Sequence, residues 1–258
     1  MCAADIEAIS NWKLELTVED GDLLVESGKD ELRQLGQRFK VRLPDLFDEY
    51  SEEDVRFRTT NRQRTMESGK AFGEGAFPND DVEIPPPLED DMLLKYYDYC
   101  PKWSINVDEN AETYQEREAF KETSIVLDML SRINQRLGFY VEDEEEKPST
   151  EDLEIEMDES EENSTEVPSS LEKRDVSSQI VDRLEFDDVY IMYDLCRHEQ
   201  ARSPAEISVW CAAFNSDDLK VMEYYEELEY WHKDGYFYEI NTQFACPLME
   251  NLVMTFDG

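Results

Sequence analysis

The chain has 258 residues, 40% of them apolar and 11% aromatic, enough for one large or two small cores. Its 64 acidic residues against 25 basic ones give a formal net charge of -39, which makes it a poor partner for nucleic acids and anionic membranes. The start, Met1-Cys2-Ala3-Ala4-Asp5-Ile6-Glu7, has neither the basic end nor the apolar centre of a signal peptide, and no run is long enough for a membrane helix.

The predicted elements are mostly helical. After a cap at Ser27, Leu32, Leu35, Phe39 and Leu43 recur at helical spacing, and Pro44 closes the segment. Val55, Phe57 and Thr59 then alternate with Arg56 and Arg58, the pattern of a short strand with arginines on one face. Thr60 or Asn61 caps a following helix that runs towards Phe77, which puts Arg64 in its first turn. Pro85-Pro86-Pro87 forms a rigid extended connector before an apolar, aromatic stretch from Met92 to Trp103. Between Ala111 and Leu137, the residues Val126, Leu130, Ile133 and Leu137 make one helix face, stopped at Gly138. A last amphipathic helix from Ser216 to Lys233 carries Leu219, Met222, Tyr225 and Leu228, with Ser216 as its cap.

Between the last two helices the composition changes. From Glu142 to Glu172 the chain passes through Asp143-Glu144-Glu145-Glu146, Glu154-Ile155-Glu156-Met157-Asp158-Glu159 and Glu161-Glu162, with no aromatic residue. Such a stretch cannot bury enough surface to offset its ordering entropy, so it reads as a disordered insertion and, less simply, as an acidic tract that buffers calcium or binds a partner. Asn163-Ser164-Thr165 within it is a glycosylation sequon, usable only in the secretory pathway.

The arginine island is the most informative local feature. Arg56, Arg58, Arg62 and Arg64 stand together without an acid between them. A strand leading into a helix N-terminus presents unpaired N–H groups and the positive end of the helix dipole, and an added arginine makes that place suited to phosphate. On spacing alone, arginines that balance neighbouring acids on an exposed surface satisfy the pattern more simply. The five cysteines, Cys2, Cys100, Cys196, Cys211 and Cys246, have no CxxC or Cys/His spacing, so no metal ligand set is expected.

Several blocks give the island a context. Arg64-Thr65-Met66-Glu67-Ser68 followed by Ala71-Phe72 resembles the Arg-Thr segment of the clade-2 histidine phosphatases, which include the histidine acid phosphatases and phytases. Ser27-Gly28-Lys29-Asp30-Glu31-Leu32, the run Leu88 to Cys100, Val209-Trp210-Cys211 and Tyr230-Trp231-His232-Lys233-Asp234-Gly235-Tyr236 look like blocks of the inositol polyphosphate phosphatases of that group, in the same order. The resemblance covers about residues 18–140 and 184–253. It divides the chain into an ill-defined start (1–17), a first phosphatase-like part (18–140), the acidic insertion (141–183) and a second phosphatase-like part (184–258).

The resemblance implies an α/β histidine-phosphatase fold of the phosphoglycerate-mutase-like type, incomplete here: most of the helical domain with fragments of the sheet domain. It implies a phosphomonoester hydrolase that removes phosphates from inositol hexakisphosphate and lower inositol phosphates without cofactor or metal. Arg64 is the residue it implies for phosphate binding, and Cys196 with Cys211 the disulfide. It also implies the secretory pathway, in or beyond the endoplasmic reticulum lumen.

The same comparison implies two motifs that this sequence does not contain. One is RHGxRxP, whose histidine attacks phosphorus; the other is a late His-Ala-Glu or His-Asp, which protonates the leaving alcohol. They are expected upstream of Val18 and beyond Phe256, so the chain reads as partial and as inactive by itself. Arg197-His198-Glu199-Gln200-Ala201-Arg202-Ser203-Pro204 mimics the first motif, but has one residue too many and Glu199 where glycine belongs. His232, near a helix end before Gly235, reads as a cation favourable to the helix C-terminus. Two other functions stay open: a non-catalytic binder of inositol phosphates or of a protein, and an acidic interaction or calcium-buffer protein.

Overall fold

In a computed structural model, the structure describes residues 1–14, 16–139 and 183–257. The acidic insertion at 141–183 and the Asn163 sequon lie outside them, apart from Arg183. Helices are α1 (Ala3–Asn11), α2 (Glu26–Arg42), α3 (Gln63–Ala76), α4 (Pro101–Trp103), α5 (Ala111–Phe120), α6 (Ser124–Leu137), α7 (Phe186–Arg202), α8 (Ser216–Lys233), α9 (Glu239–Gln243) and α10 (Cys246–Asp257).

The described residues contain no strand, which corrects the expectation for Val55–Thr59. The alternation itself is real: Val55, Phe57 and Thr59 turn inward while Arg56 and Arg58 are exposed. Among the described residues the segment has no partner with which to exchange backbone hydrogen bonds, and packing on α3 takes its place. Phe57, Thr59, Val82 and Ile84 side chains fill the surface that Gly69 and Gly73 leave open on that helix.

The caps differ from expectation by one or two residues. Helix α2 starts at Glu26 with Val25 as its cap, and the Ser27 hydroxyl instead donates to the Ala201 carbonyl at 2.8 Å. Arg62, with no side-chain cap bond, precedes α3 in place of Thr60 or Asn61. Asn215, not Ser216, caps α8, accepting from the Asp217 and Asp218 amides at 2.9 and 2.8 Å. The predicted helix from Ala111 to Leu137 is two helices, because Thr123 is extended and its hydroxyl donates to the Phe120 carbonyl at 2.7 Å. Gly138 ends α6 with φ of 84°, a conformation that suits glycine.

One core joins α6, α7 and α8 through Val126, Met129, Ile133, Phe186, Val189, Val221, Met222 and Tyr225. Its polar edge is Asp218, fully buried and bonded by Arg132 at 2.8 Å and Arg136 at 2.5 Å. A disulfide between Cys196 and Cys211 ties α7 to the turn Val209–Ala213. Trp210 of that turn meets Trp12 edge-on at 5.1 Å, and the Trp12 indole donates to Glu199 at 2.7 Å, which brings α1 to the same surface.

The second packing unit is the pair α2 and α3, and its closeness depends on two glycines. A Cβ on Gly36 would stand 2.2 Å from the Phe72 carbonyl oxygen, and one on Gly75 would stand 1.9 Å from that of Arg33. Only a hydrogen fits at either place. Phe39, Phe47, Phe72 and Phe77 cluster beside this crossing with ring centroids 5.7 to 6.3 Å apart. The pair fixes where the N-terminus of α3, and therefore Arg64, is presented.

Candidate phosphate-binding site

The four arginines of the island have three different fates. Arg58 is committed to structure: its Nε and a terminal nitrogen donate to Asp91 at 2.7 and 2.8 Å. Asp91 is 1% exposed and also accepts from the Leu93 and Leu94 amides at 3.0 and 3.1 Å. Hydrogen bonding from Arg58 holds its carboxyl below the ordinary carboxylate range; burial opposes this and the two amides support it. Arg56 is exposed, has no ion pair among the described residues, and lines a cavity of about 720 Å³ between Pro85-Pro86-Pro87 and α10.

Arg62 and Arg64 act together. Arg64, in the first turn of α3 as its sequence position predicts, donates to Asp22 Oδ1 at 2.7 Å, and Arg62 lies 3.8 Å from Asp22 Oδ2. Both guanidinium groups are at least half exposed. Lys95 adds a third cation nearby, its ammonium donating to Asn61 Oδ1 at 3.1 Å. No acidic residue occupies the first turn of α3, so the positive end of the helix and these side chains reinforce one another. The arrangement can hold a tetrahedral anion: a fork of N–H donors and a helix end whose own first turn carries no carboxylate.

Neither histidine belongs to this cluster. His198 is exposed in the middle of α7, flanked by Arg197, which pairs with Asp194 and Glu226, and by Glu199, which accepts from Trp12 and from Ser208 at 2.6 Å. Such a helical segment offers no loop of free amides for a phosphate. His232 is 3% exposed in the last turn of α8, with Nδ1 2.8 Å from the Leu228 carbonyl and Nε2 3.2 Å from Glu116. Among the described residues no cluster of three or more His, Cys, Asp and Glu side chains could hold a metal ion.

Sequence reasoning missed Asp22, Gln63, Asp91 and Lys95. Asp91 and Lys95 stand in the Leu88-to-Cys100 block, where an acid and a base beside an aromatic run are the only signal. Asp22 and Gln63 carry none, since both act across a gap of about forty residues.

With helices, core and arginine cluster in place, the chain can be set beside known proteins. Residues 5–257 match the histidine phosphatase superfamily (branch 2), and the chain belongs to that family. Within it, the chain is similar to multiple inositol polyphosphate phosphatase 1 of Drosophila melanogaster, 30% identical over 98% of this chain and 46% of the relative. The proteins of the same name from Homo sapiens and Gallus gallus are 26% and 25% identical, each over 97% of this chain and over 45% and 46% of their own lengths. The chain thus spans about half the length of these relatives. No solved structure matches it significantly. Among the described residues no helix is long and apolar enough to cross a membrane.

Proposed function

We propose that this chain supplies the phosphate grip of a phosphomonoester hydrolase of the multiple inositol polyphosphate phosphatase type, and that its ligands are inositol hexakisphosphate and lower inositol phosphates. The observation that carries this is Arg64: it sits in the first turn of α3 with a carboxylate already 2.7 Å from its guanidinium, so an anion position exists there. The names of the relatives supply the substrate class. Arg62, Lys95 and the helix end supply the rest of the positive field.

Within the sequence given, catalysis by a phosphohistidine intermediate has no nucleophile. The family's RHGxRxP and His-Ala-Glu motifs are not among its residues, and the two histidines lie within helices α7 and α8, His198 exposed and His232 buried against Leu228 and Glu116. This chain by itself therefore binds inositol phosphates without releasing phosphate, and a reading as a non-catalytic binder follows from the same two histidines. Oxidative pairing of Cys196 with Cys211 supports a secretory compartment, where Asn163 would be glycosylated.

Calorimetry with inositol hexakisphosphate at about 0.1 M salt tests the reading, the salt being chosen because screening is then about 10 Å. Binding that weakens at least fivefold with Arg64→Ala, and no phosphate release above buffer, is the expected result. Absence of any heat with the unmodified chain would sink the binding reading. Turnover abolished by His198→Ala would overturn the statement that the chain lacks a nucleophile.

A further inference from the structure

The carboxylate at Arg64 comes from a built element. Asp20 Oδ2 accepts from both the amide and the hydroxyl of Thr17, each at 2.9 Å, which closes the turn Thr17–Asp20. The turn continues as a short 3₁₀ helix, Glu19–Asp22. Immediately after it, the Leu24 amide donates to the Gln63 side chain at 2.9 Å, and Gln63 is the first residue of α3. Residues 17–24 thus form a strap fastened at one end by its own turn and at the other by α3, with Asp22 at the point that faces the arginines. The two oxygens of Asp22 divide between Arg64 and Arg62, as two oxygens of a phosphate would.

We propose that Asp22 is a built-in competitor for the anion site, so that a ligand must displace its carboxylate from Arg64 before it binds. The inference rests on the phosphate-binding reading and adds a regulator to the same site. The pair is exposed, Asp22 by 68% and Arg64 by 50%, so it is weak enough to yield. A ligand carrying several phosphates brings more charge and more acceptor oxygens than one carboxylate, whereas a single small anion gains little by the exchange. Asp22 therefore raises the charge needed for occupancy and favours highly phosphorylated ligands over inorganic phosphate.

The test compares four variants by calorimetry with inositol hexakisphosphate and with inorganic phosphate. Asp22→Asn is expected to tighten hexakisphosphate binding about two- to fivefold, the worth of an exposed ion pair, and to narrow the preference over inorganic phosphate. Asp45→Asn, which removes the same charge from an exposed position with no ion pair among the described residues, is expected to change little. In the double variant Asp22→Asn with Arg64→Ala, the gain should fall well below that of Asp22→Asn alone, since only the longer 3.8 Å approach to Arg62 is then left for Asp22 to occupy. If Arg64→Ala weakens binding but Asp22→Asn leaves it unchanged or weakens it, the competitor is refuted while the phosphate site stands. An Arg64→Ala variant that binds as well as the unmodified chain refutes the site and the competitor together. Equal gains from Asp22→Asn and Asp45→Asn refute the competitor in favour of a general charge effect.

Discussion

Arg58 grips Asp91 with two donors, at 2.7 and 2.8 Å, across 33 residues of sequence. The carboxylate is almost wholly enclosed while 43% of the Arg58 side chain remains in contact with solvent. This pair therefore differs in kind from Arg64 with Asp22, in which both partners are exposed. Removing Arg58 leaves a buried charge with only two amide donors; removing Arg64 leaves an exposed one.

Arg58→Ala is accordingly expected to cost about 2–3 kcal/mol of stability, the range for a lost charged hydrogen bond discounted for the exposed side of the pair. Arg64→Ala should cost at most about 0.5 kcal/mol, as for an exposed surface pair. Urea unfolding of the two variants, followed by circular dichroism, compares them directly. A larger loss for Arg64→Ala would contradict the assignment of structural work to Arg58.

Asp218 sets an acid limit on stability. Burial pushes its carboxyl up, but hydrogen bonds from Arg136, the Asn215 amide and Arg132 outweigh burial, so the group titrates below its ordinary value. Folding therefore favours its ionised form. The contribution is complete above the unfolded-chain value of about 3.9 and is lost as pH falls through the lower, folded value. Asp218→Asn should be less stable by about 2–3 kcal/mol at neutral pH, since it breaks a buried pair whose arginines remain partly in solvent. That gap should close as pH falls through the lowered folded-state value, where the native carboxylate is protonated in turn. Urea midpoints measured between neutral pH and acid provide the check, and a gap that widens in acid would show the sign to be wrong.

The crossing of α2 and α3 should tolerate no side chain at Gly75. Gly75→Ala places a methyl group 1.9 Å from the Arg33 carbonyl oxygen, so the helices must separate. A loss of about 3 kcal/mol or more, at the upper end for overpacking, is expected in thermal or urea unfolding. Gly21→Ala, where nothing lies within 4 Å of the new methyl group, should be neutral within about 0.5 kcal/mol and serves as the comparison.

Reduction of the Cys196–Cys211 disulfide opens a loop with a sequence separation of 15. The expected loss is about 3 kcal/mol, chiefly from the freedom regained by the unfolded chain. It should appear as a lower melting temperature in reducing buffer, and Cys196→Ala with Cys211→Ala should remove the response to reductant. A melting temperature indifferent to reductant would show that the bridge does not hold α7 to the turn.

Helix periodicity made much of the fold legible in the sequence. Val126, Ile133, Met222, Tyr225 and Leu228 are all buried where a 3.6-residue repeat places them, and Arg64 does fall in the first turn of α3. Helix starts were read less well. Ser27 and Ser216 are sound caps by composition, but Val25 and Asn215 hold the cap positions because tertiary contacts and the capping box of Asn215 with Asp218 decide the entry of the chain. At Val55–Thr59 alternation recorded which side chains turn inward, yet a strand also requires a neighbour, and alternation says nothing of that. The candidate site was half legible. Arg64 stood out through the block around it, whereas Asp22 and Asp91 reach their arginines over 42 and 33 residues, beyond any local pattern.

The glycine crossing also determines how steadily Arg64 can be aimed. Eleven residues separate Gly75 from Arg64 along one helix, a rod of about 16 Å at 1.5 Å per residue. With its far end as fulcrum, a tilt of about 4° swings the guanidinium by roughly 1 Å, more than the ~0.5 Å within which a binding group must be held. A methyl group at the fulcrum would therefore misdirect an arginine that it never touches.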